Sequence, residues 1–208
     1  MARLLLVMVI GGAVLGWIGL KEWRLSGAAS DKAQSIGCDK LESSGPGANA
    51  HVVLKDYLLC TEAFVYKGTK GATERWTTIW VPAVPAEGEY VRKVRKILEN
   101  GGDPKNLPAP TNIKVIVKTN SVHDQQDLSN FDSKTTIEGL IVNKVESLGG
   151  EEKRLLNQAY PGIDVDTCYI LEEGRMPKSR GTAGGMMAGG LALIVLGVAG
   201  FAGVAKRG

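Results

Sequence analysis

The C-terminal stretch "GTAGGMMAGGLALIVLGVAGFAGVAKRG" (181–208) decides how this chain is organised. It contains 23 residues without a charge, Ala183–Ala205, followed by Lys206 and Arg207. A helix of that length, at about 1.5 Å per residue, is longer than the roughly 30 Å hydrocarbon core of a bilayer. In water, each glycine inside such a helix would cost about 1 kcal/mol relative to alanine. The stretch therefore predicts a transmembrane helix.

The glycines of this stretch have a regular spacing. Gly181, Gly185 and Gly189 are four residues apart, and Gly12 and Gly16 repeat the same step near the N-terminus. In lipid, helices associate through the close approach of small residues, because the hydrophobic driving force between them is absent. The spacing predicts a helix–helix interface, either between two spans of this chain or with another subunit. The alternative is that glycine and alanine are simply common in membrane helices.

A second apolar run, Leu4–Leu20, lies near the N-terminus and has 17 uncharged residues. As a helix it would span about 26 Å, near the lower limit for crossing a bilayer. Trp17 and Trp23 occupy positions typical of an interfacial aromatic belt. The alternative is a cleaved signal peptide with "GAAS" (27–30) as the cleavage site. A retained anchor is favoured because the apolar run is long and charges intervene before the small residues.

Two spans give four segments. We expect an N-terminal transmembrane anchor (1–25), a flexible Gly/Ser/Ala-rich linker (26–50), a soluble α+β domain (51–174) and a C-terminal transmembrane helix with a short basic tail (175–208). Both termini would then lie on one side of the membrane. A plain count of the flanking basic residues would place the domain in the cytoplasm, but long loops translocate largely regardless of their charge. A short basic N-terminal tail and a basic C-terminal tail that stay inside the cell are a common arrangement. We therefore expect the domain to be extracytoplasmic (periplasmic) and both termini to be cytoplasmic.

The domain is predicted to be of the α+β class, with about six strands and two helices. Alternating or β-branched segments predict strands at 51–60, 62–68, 75–84, 113–119, 135–148 and 163–171. Helical spacing predicts helices within 87–102 and 149–162. A sheet or half-open barrel covered by two helices satisfies this order. The polar segment 120–134 is expected to be an exposed loop.

The first of these helices carries the densest basic cluster of the chain, formed by Arg92, Lys93, Arg95 and Lys96. Such a cluster is suited to anionic lipid headgroups or to an acidic partner. The alternative is an ordinary solvated helix face. A net charge of +3 is too small to predict a nucleic-acid-binding surface.

No catalytic motif is recognised. The sequence lacks GxSxG, HExxH, a P-loop and GxGxxG. Cys60 and Cys168 lie in apolar strands, so we expect small buried side chains, or a disulfide between them if the domain is extracytoplasmic. Asp164 and Asp166 are expected at a solvent-facing edge.

A loop with one histidine and three aspartates was considered as a metal site. It lacks the glycine and the alternating carboxylates of a calcium loop, so no metal and no cofactor are predicted. The residues are His123, Asp124, Asp127 and Asp132.

The layout of span, β-rich domain and span resembles that of the Surf-type cytochrome oxidase assembly proteins, and "IWVPAVP" (79–85) is similar to a stretch of that family. The layout is also similar to the membrane-anchored part of GIDE-type mitochondrial ligases, but no RING cysteines follow the second span. The resemblance is one of layout, and no activity is carried over from it.

These observations favour a non-catalytic accessory or assembly subunit of a membrane protein complex. Its expected partners are the lipid bilayer and a membrane protein or a second copy, bound through the C-terminal helix. One alternative is a lipid- or small-molecule-sensing membrane module. Another is a membrane-bound enzyme of unknown reaction.

Overall fold

Six α-helices and eight β-strands make up the regular structure of the part of the chain that this computed structural model describes, residues 2–69, 75–103, 107–108, 110, 112–142, 149–160 and 163–205. The helices are α1 (Ala2–Ala28), α2 (Cys38–Ser44), α3 (Glu89–Glu99), α4 (Gln125–Asp132), α5 (Gly150–Ala159) and α6 (Arg180–Ala205). The strands are β1 (Gln34–Gly37), β2 (His51–Lys55), β3 (Tyr57–Leu59), β4 (Val65–Thr69), β5 (Arg75–Pro85), β6 (Val115–Thr119), β7 (Ile137–Ile141) and β8 (Tyr169–Glu173).

The chain forms two compact units. One contains Met1–Ser30 and Pro177–Gly208, and the other contains Asp31–Met176. In the first unit, α1 and α6 are long and apolar enough to cross a membrane, as the two uncharged runs predict. Both helices extend a few residues beyond those runs on the side next to the domain. The predicted basic tail, 206–208, lies outside the described residues.

In the second unit, the strands close into a barrel. Their order is β1-β2-β7-β8-β6-β5-β3, with β4 paired to β5. The two ends of this order are joined through the chain itself, because only Asp56 separates β2 from β3. Asp56 has a φ of 53°, a left-handed conformation that aspartate tolerates better than most residues. The bend allows one continuous segment to pair with β7 on one side and with β5 on the other.

The connectivity of the barrel follows from the pairing. We number the barrel strands in chain order. The bent β2–β3 segment is the first strand, β5 is the second, β6 the third, β7 the fourth and β8 the fifth. The order around the barrel is then 1-2-3-5-4-1, with the third and fifth strands parallel and all other neighbours antiparallel. This is the connectivity of an OB-fold barrel.

The two faces of the sheet differ in polarity. One row of register partners is fully buried: Val81, Val117, Leu171 and Ile141. The adjacent row carries Lys118 and Glu172, so it faces outward. The first row therefore forms part of the barrel core.

Helix α4 buries two apolar side chains within this unit. Its Leu128 and Phe131 are each only 2% exposed. Asp124 caps the helix by accepting a hydrogen bond from the Asp127 amide at 2.9 Å. The prediction of an exposed loop over 120–134 is therefore wrong, because the apolar residues in this polar segment lie on one helical face.

The predicted linker 26–50 is also ordered in part. It contains β1, which pairs in parallel with β2, and α2, whose Cys38 and Leu41 are fully buried. The Gln34 side chain donates to the Asn49 carbonyl at 2.7 Å and ties the two ends of the segment together. Side-chain burial and strand pairing outweigh the loop-like composition.

Three of the predicted strands differ from the observed ones by more than three residues or are divided. The segment 51–60 is divided at Asp56 into two strands. With β1 as a further strand, the number of strands rises from the predicted six to eight. Strand β7 ends at Ile141, and 143–148 lies outside the described residues. Residues 165–167 form a turn, so β8 begins only at Tyr169. The other two domain helices, α3 and α5, fall where helical spacing predicts them.

Candidate functional site

The contact between α1 and α6 is built on small residues with a seven-residue repeat. A methyl group added at Gly190 would lie 2.5 Å from the Gly16 amide nitrogen and 2.6 Å from the Gly12 carbonyl oxygen. One added at Gly19 would lie 2.7 Å from the Met187 amide nitrogen. Gly12 and Gly19 are seven residues apart, as are Ala183, Gly190 and Gly197, and all five are buried. The two backbones touch along this seam.

The predicted interface glycines fall into two groups. Gly12 and Gly16 lie in the seam, whereas Gly185 has no atom within 4 Å of an added methyl group and is exposed. Gly181 is also exposed, and Gly189 lies at the flank, where a methyl group would be 3.7 Å from Leu15. The four-residue spacing thus marked the side of α6 opposite α1. The seven-residue spacing of Gly190 and Gly197 was the signal that would have found the seam.

An ion pair joins α1 to the segment before α6. Lys178 Nζ lies 3.4 Å from Glu22 Oε1, and Glu22 is only 8% exposed. A buried carboxylate needs such a partner because removing an unpaired charge from water is costly. No local sequence pattern predicts this pair, since its members are more than 150 residues apart in the chain.

Helix α3 presents the predicted basic cluster to solvent. Arg92, Lys93, Arg95 and Lys96 are all exposed. Within the described residues only Arg95 has an ion-pair partner, Glu87 at 3.6 Å.

The apolar side of α3 packs loosely. None of the residues of α3 is buried, and Leu98 is 41% exposed. One attachment to the rest of the unit is the Tyr90 hydroxyl, which donates to the Pro108 carbonyl at 3.1 Å.

A cleft of about 780 Å³ lies between α2 and the start of α3. Its lining includes Glu42, Asp56, Gly88, Asn112 and Lys114. Burial raises the pKa of the Glu42 carboxyl, with Lys114 opposing and Asp39 adding to the effect. Asp56 and Asn112 both have positive φ. The volume is in the range of small-molecule sites, and the donors and acceptors suit a polar ligand.

The cysteines are free and buried. Burial, with the charge of Asp132 as a smaller cause, raises the pKa of Cys60 to about 12, and burial raises that of Cys168 to about 11. Such thiols are protonated at neutral pH and are poor nucleophiles. The Cys168 thiol donates to the Ile113 carbonyl at 3.0 Å.

Of the two alternatives for Cys60 and Cys168, the structure contains the small buried side chains and not the disulfide, because both cysteines are free and buried.

The histidines and aspartates singled out in the sequence have structural partners. His51 is buried and lies 3.1 Å from Glu138, and the His123 ring nitrogen lies 2.9 Å from the Trp76 carbonyl. The Asp127 carboxylate accepts from the His123 amide at 2.9 Å. Asp132 lies at the exposed end of α4, and partial desolvation and the charge of Glu62 raise its pKa. No group of three or more metal-ligating side chains occurs among the described residues.

The other two aspartates belong to the turn before β8. Asp164 accepts from the Asp166 amide at 3.1 Å, and Asp166 pairs with Lys153 at 2.5 Å. Both are exposed, so the solvent-facing position is confirmed although the strand is not.

The indole nitrogen Nε1 of Trp80 is buried and has no hydrogen-bond partner, and no other buried side-chain polar atom of the described residues lacks one. Trp80 lies on the outward face of the barrel beside Lys118 and lines a cavity of about 330 Å³ next to the first turn of α5. Lys118 pairs with Glu152 at 3.3 Å, which holds α5 over this face. The first turn of α5 therefore lies against the outward face of β5 and β6.

Comparison with protein-family models, with curated proteins and with solved structures finds no match for this chain.

Proposed function

We propose that this protein is a non-catalytic accessory or assembly subunit of a membrane protein complex. In this proposal α1 and α6 cross the bilayer and anchor the barrel unit. The partner is a membrane protein or a second copy of the chain, and it binds the outer face of α6. We define that face as Gly181, Gly185, Ala188, Ala192 and Ala199, which are all exposed.

The observation that carries the proposal is the position of this outer face. Its members follow one another at steps of four, three, four and seven residues, so they line one side of the helix. That side is opposite to the seam with α1, which uses Ala183, Gly190 and Gly197. A side that meets only lipid tails has no need of glycine, which lowers helix stability by about 1 kcal/mol relative to alanine. Small residues there instead permit close approach of a second helix.

The test is the native mass of the full-length chain in mild detergent, with identification of whatever accompanies it. We expect a stoichiometric companion or a homo-oligomer. Gly185→Leu, which places a large side chain on the outer face, should remove it. Gly11→Leu is the matched control, because Gly11 is also exposed and has open space around it. A monomer in the wild-type chain, or equal loss in both variants, would contradict the proposal.

The proposed topology places both termini in the cytoplasm and the barrel unit on the extracytoplasmic side. It is tested by labelling single cysteines at Ala2 and Lys55 with a membrane-impermeant maleimide in intact cells, after the native cysteines are replaced. We expect the reagent to label the exposed Lys55→Cys and to leave Ala2→Cys unlabelled. The reverse pattern would place the unit in the cytoplasm.

A further inference from the structure

We propose that α3 is an interfacial helix that lies on an anionic lipid surface, with Lys93 and Arg95 contacting headgroup phosphates. The inference rests on the proposed membrane anchoring and goes beyond the partner contact made by α6. It assigns a lipid partner to the barrel unit itself.

The first argument concerns the apolar side of α3. Tyr90, Val91, Val94, Ile97 and Leu98 recur at helical spacing, yet none of them is buried. A helix of a globular unit normally buries such a side against its own core. Here the cleft of about 250 Å³ beside Tyr90 and Lys93 leaves the start of the helix incompletely packed. The apolar side of α3 therefore remains partly exposed and can contact a lipid surface.

The second argument concerns charge. At 3.6 residues per turn, Lys93 and Arg95 flank the apolar side, and Arg92 and Lys96 lie on the opposite side of the helix. Amphipathic helices on membranes have this arrangement, in which long basic side chains reach phosphates while apolar residues enter the headgroup region. The exposed ion pair with Glu87 competes only weakly with the binding of Arg95 to a phosphate, because exposed ion pairs contribute at most about 1 kcal/mol.

The third argument concerns the choice between lipid and protein as the occupant. The same chain contains two helices that are long and apolar enough to span a bilayer. Each basic residue near an anionic membrane contributes to binding over about one Debye length. The residues between 89 and 99 comprise four basic and two acidic side chains, which suits a diffuse anionic surface.

The experiment uses the full-length chain in nanodiscs of phosphatidylcholine alone or of phosphatidylcholine with phosphatidylglycerol. The readout is amide hydrogen exchange across 90–99, with incorporation into the discs measured on the same samples. We expect the anionic lipid to slow exchange about tenfold, in line with the basic contacts. Addition of 1 M salt should abolish the difference, because the Debye length falls to about 3 Å.

Two variants separate charge recognition from general effects. Lys93→Glu with Arg95→Glu should lose the lipid-dependent slowing. The control, Lys55→Glu with Arg154→Glu, changes two exposed basic residues on other elements and should keep it.

Three results would overturn the inference. They are equal exchange in both lipids, equal slowing in both variants, and protection that appears only with a copurified protein. A chain that enters the nanodiscs but shows no slowing refutes this inference alone. A chain that does not enter them refutes the anchoring as well.

Discussion

Glu173 shows at the residue scale how a buried carboxylate is kept ionised. It lies at the end of β8 on the same face as Leu171, with a side chain only 12% exposed. Burial alone would raise its pKa, but hydrogen bonds from Lys134, Thr119 and Ser121 outweigh this effect, so the pKa is lowered. The network connects β6, β8 and the residues after α4.

This network predicts a pH dependence of stability. The folded-state pKa of Glu173 lies below the value of about 4.3 in the unfolded chain. Its stabilisation is therefore complete above that value and is lost as the pH falls through the folded-state pKa. Glu173→Gln should cost about 2 kcal/mol at pH 7, in the range for hydrogen bonds to charged groups.

The measurement is the difference in Tm between the wild-type chain and Glu173→Gln from pH 7 to pH 3. We expect the difference to shrink with falling pH. Glu99→Gln, at the exposed end of α3, should show no such trend. A difference that stays constant over the range would argue against an ionised Glu173.

The cysteines give a second prediction at this scale. Because all three thiols are buried and free, a thiol reagent should react with almost none of them in the native chain. Three should react per molecule after denaturation without reductant. The check is thiol titration before and after denaturation. A count of one after denaturation would instead indicate a disulfide.

At the scale of the element, α6 has two faces with different roles. The seam holds α1 at backbone contact, whereas the outer face has open space. Gly190→Ala should therefore separate the helices, since the added methyl group meets backbone that cannot move aside. Overpacking of this kind costs about 1–3 kcal/mol. Gly185→Ala should have no effect on the pair.

Spin labels at Val7 and Val198, which are both exposed, measure this separation. We expect a longer and broader distance distribution for Gly190→Ala than for the wild-type chain. Gly185→Ala serves as the control and should reproduce the wild-type distribution. Identical distributions for all three chains would mean that the seam tolerates a methyl group.

Helix α4 carries another prediction. Phe131→Ala removes a nearly fully buried aromatic side chain. Such truncations cost about 3–5 kcal/mol. Leu98→Ala, on the loosely packed α3, should cost less than about 1 kcal/mol. Urea unfolding of the two variants measures the contrast, and equal losses would show that α4 contributes no more to the packing of the unit than α3.

The elements differ in how far the sequence predicts them. The transmembrane runs and α3 have long uniform patterns, and they appear where expected. Helix α4 was missed because only Leu128 and Phe131 are apolar among many polar residues, although Asp124 and Asp127 form a capping signal. Helix α2 was missed because glycine and serine around Cys38 and Leu41 resemble a linker.

At the scale of the whole molecule, the closed barrel depends on pairings that no local pattern contains. Helical and strand periodicity predicted a sheet or half-open barrel, but the bend at Asp56 and the parallel pairing of β6 with β8 are long-range features. The same holds for the site. The basic cluster was visible as a run of charges, whereas the seam and the ion pair of Glu22 with Lys178 join distant parts of the chain.

Since the unit Asp31–Met176 contains its own core and all eight strands, we expect it to fold without α1 and α6. A fragment of these residues should unfold in urea in one cooperative transition, as small single domains do. The measurement is circular dichroism and intrinsic fluorescence with coincident midpoints. A fragment without a transition would show that folding needs the membrane segments.

The single-residue link at Asp56 has a consequence for how quickly the barrel forms. The β4–β5 hairpin joins near neighbours and β6 pairs with β5 across α3, but β2 pairs with β7 only when His51 meets Leu140, almost ninety residues along the chain. Closing so long a loop costs conformational entropy before the pairing of the two strands contributes any stabilisation. Proteins whose topology is rich in such long-range contacts fold slowly. During synthesis, the first barrel strand must therefore wait with an unpaired edge until β7 emerges, so the nascent chain is most open to aggregation or to chaperone capture in that interval.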